Sequence, residues 1–136
     1  DGEDYYCVTE GNCFRLERNK KLYEWMQYDE HYYGTLRDEL FEKYKTSKAY
    51  VVVDSRGFHK LNEILFVIPI VLDIPFEVAK KRLEKRETDP EVIAKRLDQF
   101  HKDQEDLQEI KELHYSIVVD ASQNLDDVLK YIRSFI

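Results

Sequence analysis

The sequence predicts an α/β fold with a mostly parallel sheet, and three observations carry that prediction. Short apolar runs alternate with helical patterns through the second half of the chain, as strand–helix–strand units do. The run Ala49-Tyr50-Val51-Val52-Val53 is continuously apolar rather than alternating, as in a strand buried on both faces of a parallel sheet. The helical stretches open on residues suited to their first turn, Thr9, Asp89-Pro90 and Asn124 among them.

A length of 136 residues fits one domain. An apolar share of 43% supports a real core, and a charged share of 36% demands a densely charged surface. The net charge of −7 argues against a general nucleic-acid binder, because phosphate neutralisation supplies most of that affinity. A local basic site is still compatible with it. Cys7 and Cys13 have no zinc-like spacing, and His31, His59, His101 and His114 are scattered, which fits free thiols in a reducing, cytoplasmic setting. The most apolar run, residues 64–74, holds Pro69 and Asp73 and is too short to span a membrane. No signal peptide is visible. The chain begins at Asp1 rather than Met, which reads as a fragment or a processed piece.

Residues 4–8 read as a short strand. Thr9 reads as the N-cap of a helix through about Arg18, and Asn19-Lys20-Lys21 as a polar break. Leu22–Tyr28 reads as a strand, Asp29-Glu30 as a turn and Tyr32-Tyr33 as the returning strand. Thr35 is expected to cap a helix over residues 36–45, where Leu36, Leu40, Phe41 and Tyr44 share a face. The strand at 49–53 ends in Asp54, and a short helix follows over 55–63. Residues 65–72 read as a second buried strand, in which Pro69 argues for an edge or a bulge. A helix follows Ile74-Pro75 over 76–87, and Asp89-Pro90 starts another that runs to about Leu113. Residues 115–119 read as a third buried strand, and Asn124 caps a last helix over 125–135.

Residues 23–35 gather one acid, two adjacent tyrosines, a glycine and a hydroxyl. Glu24 can accept two parallel hydrogen bonds, and the edge of a guanine offers two neighbouring N–H groups. Tyr32 or Tyr33 can donate an O–H to an anion, and Gly34 lets the backbone approach closely. The plainer alternative is an aromatic hairpin, since Tyr and Trp favour strands. Asp54 stands at the carboxyl end of a strand, where ligands bind in open α/β sheets, and is equally suited to capping the next helix. Lys80, Lys81, Arg82, Lys85 and Arg86 lie on one helix, with Lys95 and Arg96 on the next. Arg82 and Arg86 are one turn apart, so their guanidinium forks can grip a polyphosphate. The alternative is a solvated face, paired with Glu84 and Glu87.

In order along the chain, these pieces resemble guanylate kinase. Asp4-Tyr5-Tyr6 resembles that family's Asp-Tyr-x-Phe-Val strand, and Tyr23-Glu24-Trp25-Met26-Gln27 its acid-bearing segment. Tyr32-Tyr33-Gly34-Thr35 matches its Tyr-Tyr-Gly-Thr/Ser motif. Residues 81–86 and 94–97 resemble the lid and the helix after it, and residues 114–119 with the last helix resemble its closing strand and helix. The resemblance implies a P-loop-kinase-like three-layer fold with a mostly parallel central sheet. A small mixed β GMP-binding subdomain would occupy residues 1–35, and the α/β core residues 36–136, with a helical lid at about 82–96. It implies transfer of the ATP γ-phosphate to GMP with Mg2+, with GMP and ATP as partners and neither nucleic acid nor membrane. Glu24 and Thr35 would read the guanine, Tyr5 and Tyr33 would hold the GMP phosphate, and Asp54 would line the GMP side. Arg82, Arg86 and Arg96 would neutralise phosphates as the lid closes, and Asp120 would fall near the adenine.

The chain also departs from the family pattern. Its four glycines (Gly2, Gly11, Gly34, Gly57) leave no Gly-x-x-Gly-x-Gly-Lys-Ser/Thr loop to cradle ATP phosphates. Val52 stands where the family often has an aspartate, Glu87 where it commonly has glycine, and Asp120 where it usually has asparagine. The 136 residues alone are therefore expected to lack ATP:GMP activity. A non-catalytic guanylate-kinase-like protein-binding module is the alternative, and another small-molecule kinase on the same architecture is a third.

Overall fold

A computed structural model describes residues 8–28, 31–46 and 50–135. The elements run α1 (Glu10–Arg18), β1 (Leu22–Tyr28), β2 (His31–Leu36), α2 (Arg37–Thr46), α3 (Ser55–Asn62), β3 (Ile70–Asp73), α4 (Phe76–Arg86), α5 (Pro90–Lys111), β4 (Ile117–Asp120) and α6 (Leu125–Arg133). The chain is α/β, and it divides into two compact units between Leu65 and Phe66. Tyr5 with most of the expected strand at 4–8, and the turn at Asp29-Glu30, lie outside the described residues.

In the first unit β1 and β2 form an antiparallel hairpin, with Glu24 opposite Thr35, Trp25 opposite Gly34 and Gln27 opposite Tyr32. Thr9 caps α1 as expected: its side chain accepts from the Asn12 N–H at 3.3 Å, satisfying one orphan donor of the first turn. Phe14 on α1 then packs edge-on against Trp25 and Tyr32, with ring centroids 6.4 and 5.1 Å apart. Tyr23 ties the hairpin to α3 by donating its hydroxyl to the Lys60 carbonyl at 2.7 Å. Leu61 of α3 is 1% exposed, and burying a side chain of that size contributes roughly 1.5–3 kcal/mol. Packing of α2 and α3 against the hairpin draws them into this unit.

Two expectations fail in this unit. Thr35 does not cap a helix: it belongs to β2, and α2 begins two residues later at Arg37. Residues 50–53 form no strand, and Val52 is 87% exposed. Valine-rich composition favours an extended backbone, but a buried strand also needs a neighbouring ladder. Among the described residues no strand pairs with 50–53.

In the second unit β3 and β4 pair in parallel, register Ile70 to Ile117 through Asp73 to Asp120. Pro69 explains why β3 is shorter than the expected 65–72. It precedes the strand, needs no N–H there, and its carbonyl accepts from the Ile117 N–H at 2.9 Å. Pro90 occupies the first turn of α5 and Asp89 caps it, as the sequence predicts. Asn124 likewise caps α6, accepting from the Asp127 N–H at 3.0 Å. Val71, Leu83, Ile110, Val119 and Val128 form the core of this unit.

Candidate functional site

The hairpin register builds the first part of the site. Side chains alternate across a strand, so Tyr33 and Thr35 share one face of β2, and Glu24 lies opposite Thr35. Thr35 donates its hydroxyl to Glu24 Oε1 at 2.7 Å. Glu24 is only 3% exposed, and a buried carboxylate is tolerated only when hydrogen-bonded. A carboxylate has about four lone-pair positions, so one hydroxyl leaves it able to accept from a further donor pair. Gly34 makes the approach of the strands possible. A Cβ there would lie 2.9 Å from the Glu24 backbone oxygen and 3.1 Å from Trp25 Cβ.

The structure separates the two tyrosines. Tyr32 is committed to the aromatic cluster with Phe14 and Trp25, and its phenol is pushed up by desolvation and by its bond to Glu10. Tyr33 lies on the Glu24–Thr35 face and is half-buried. Asp54 is the N-cap of α3. Its Oδ1 accepts from the Gly57 N–H at 2.8 Å and its Oδ2 from Arg56 Nε at 2.9 Å, so both oxygens have partners.

In the second unit the basic cluster resolves into different environments. Arg82 donates to three successive backbone carbonyls, from Nη1 to Ala121 at 2.7 Å and from Nη2 to Ser122 at 3.0 Å and Gln123 at 3.1 Å. Arg86 is exposed at the end of α4. Arg96 on α5 is half-buried, and its Nε is buried without a hydrogen-bond partner among the described residues. Glu87 closes the break between α4 and α5: its Oε1 accepts from the Asp89 and Thr88 N–H groups, and these bonds hold its carboxyl below the usual range.

Asp73 and Asp120 sit side by side at the carboxyl ends of β3 and β4. Lys111, largely buried, donates to Asp73 Oδ1 at 2.7 Å and to Gln104 Oε1 at 3.0 Å. Asp120 Oδ1 accepts from the Ser122 hydroxyl at 2.5 Å and the Ser122 N–H at 2.9 Å, which together lower its pKa. These groups line a cleft of about 570 Å³ with Pro75. Sequence reasoning missed the Asp73–Lys111–Gln104 network. Its visible signal is an acid ending an apolar strand, but its partner lies 38 residues away.

Among the described residues no group of three or more His, Cys, Asp or Glu could hold a metal ion. Magnesium that accompanies a nucleotide takes most of its ligands from phosphates and water and only one or two from carboxylates, so such an ion does not need a cluster of three protein ligands. Among the described residues, too, no helix is long and apolar enough to cross a membrane.

The fold and the site define an α/β protein with a buried acid–hydroxyl pair on a small β hairpin and an arginine-bearing helix pair next to a parallel strand pair. The comparisons with known proteins give the family. The guanylate kinase family model matches residues 1–136, and the chain belongs to that family. It is 31% identical over 141 residues to a guanylate kinase of Synechocystis sp., an alignment covering 97% of this chain and 70% of the relative. It is 31% identical over 140 residues to one of Lactobacillus acidophilus, covering 97% and 65%. A guanylate kinase of Caldanaerobacter subterraneus is 26% identical over 144 residues, covering 100% of this chain and 65% of the relative. The chain thus spans about two thirds of the length of these relatives.

Proposed function

We propose that this chain is the GMP-recognising and lid-bearing part of an ATP:GMP phosphotransferase. The observation that carries the reading is the buried Glu24 held by Thr35. Glu24 accepts from the guanine N1–H and its exocyclic amine, and Thr35 fixes the carboxylate that does so. Tyr33, on the same strand face, donates to the GMP phosphate together with Tyr5, and Asp54 lines the GMP side through the helix start that it caps. Arg86 and Arg96 neutralise the transferring phosphates, since such chemistry is mostly positioning and charge stabilisation. Arg82 instead commits three of its N–H donors to backbone carbonyls. Residues 1–35 supply the GMP-binding part and 36–136 the core. The architecture is a P-loop-kinase-like three-layer fold with a mostly parallel central sheet and a lid at about 82–96. The setting is the cytoplasm. Magnesium would enter with ATP, held mainly by its phosphates and by water.

The test is calorimetric titration with GMP and IMP. IMP lacks the exocyclic amine, so it should bind about tenfold or more weakly, the effect of one unmade bond to a buried charged acceptor. Equal affinity for the two would sink the Glu24 assignment. A non-catalytic protein-binding module is the second reading, and the exposed apolar residues Tyr50, Val51 and Val52 favour it. ADP formation that depends on GMP, in the protein as the cell makes it, decides between them.

A further inference from the structure

We propose that Arg82 is a positioning residue that holds the turn after β4 in shape for the donor nucleotide, rather than a group that contacts phosphate. This rests on the phosphotransferase reading. The guanidinium of Arg82 meets the carbonyls of Ala121, Ser122 and Gln123, three in succession, at 2.7, 3.0 and 3.1 Å. Three consecutive carbonyls converging on one side chain require donors fixed in a plane, which the arginine fork supplies and a lysine ammonium does not. The same turn is held from its other side. Asp120 Oδ1 accepts from the N–H and the hydroxyl of Ser122, so Arg82 ties the acceptors while Asp120 ties the donors. The turn is thus fixed by two charged groups that arrive from α4 and β4.

What this turn shapes is on the same unit. Ser122 and Asp120 line the cleft of about 570 Å³ that also receives Asp73, Gln104 and Lys111. That cleft lies at the carboxyl ends of β3 and β4, where open α/β sheets bind ligands. Moving Arg82 onto a phosphate would release three carbonyls and loosen one wall of the cleft. Arg86, exposed one helical turn further along α4, has no such commitment to the turn.

The experiment compares wild type, Arg82→Lys and Arg82→Ala in the full-length protein, with folding checked by circular dichroism. It measures amide hydrogen exchange across residues 121–124 and calorimetric affinities for ATP and for GMP. The expected result is faster exchange in the turn and ATP binding about tenfold weaker in both variants, the effect of lost charge-assisted bonds, with GMP affinity within about twofold of wild type. Lysine should not rescue. Two outcomes overturn the proposal. One is wild-type ATP affinity in Arg82→Lys, because a positive charge acting on phosphate is all that lysine preserves. The other is unchanged exchange in Arg82→Ala. A wild type that binds neither nucleotide overturns the phosphotransferase reading and the nucleotide half of this proposal, while the exchange data still decide whether Arg82 holds the turn.

Discussion

Thr35 donates its hydroxyl to Glu24 at 2.7 Å across the β1–β2 ladder, and the acid it holds is 3% exposed. A buried, hydrogen-bonded carboxylate on a short hairpin is costly to keep unless it serves recognition or specifies the local packing. Glu24→Gln separates the two. The amide keeps the shape but presents one acceptor and one mismatched donor, so GMP binding should weaken by about 1–3 kcal/mol. The unfolding free energy from urea titration should change by much less than that. A calorimetric GMP affinity equal to wild type would remove Glu24 from the guanine site.

The partner is tested by Thr35→Val against Thr35→Ser. Valine is close in shape and has no donor, so Glu24 is left buried and under-bonded, at about 1–3 kcal/mol of stability. Serine keeps the hydroxyl and should recover most of that loss. Equal urea midpoints for the valine and serine variants would show that the 2.7 Å bond contributes nothing to the fold.

Gly34 is predicted to resist even alanine. The added Cβ would press against the Glu24 backbone oxygen at 2.9 Å, and that oxygen belongs to the strand and cannot swing away. Gly34→Ala should therefore destabilise the hairpin by about 1–3 kcal/mol, as overpacking does. Because Trp25 sits opposite Gly34 in the ladder, its fluorescence should shift along with the unfolding midpoint. An unchanged Trp25 spectrum and midpoint would show that the strands are not held as closely as the contact implies.

Which parts of this arrangement were legible in the sequence follows from how far apart the partners are. Thr9, Asp89 and Asn124 cap through backbone N–H groups two or three residues away, so three helix starts could be read directly. The hairpin was legible because β1 and β2 are consecutive. Thr35 was misread because a hydroxyl before an apolar stripe resembles a cap, whereas its real partner lies 11 residues back on another strand. Residues 50–53 have strand composition, but pairing is non-local and composition does not supply a neighbour. The spacing of Arg82 and Arg86 correctly placed them on one helix, but the acceptors of Arg82 lie 39 to 41 residues further on, beyond any local pattern.

The turn that Arg82 holds should respond to pH through Asp120. The Ser122 hydroxyl, then the Ser122 N–H, keep Asp120 ionised to lower pH than an ordinary aspartate. A group whose folded pKa is depressed contributes stability above its unfolded value, and that contribution is lost as pH falls through the folded value. Wild type should therefore be more stable than Asp120→Asn at neutral pH. The gap should stay constant down to about pH 5, where an unfolded aspartate begins to bind its proton, and close as the pH falls further. Urea unfolding of both proteins from neutral pH into the acid range reads this directly. A gap that persists unchanged in acid would mean that the charge of Asp120 does not hold the Ser122 turn, and that the shape of its side chain does.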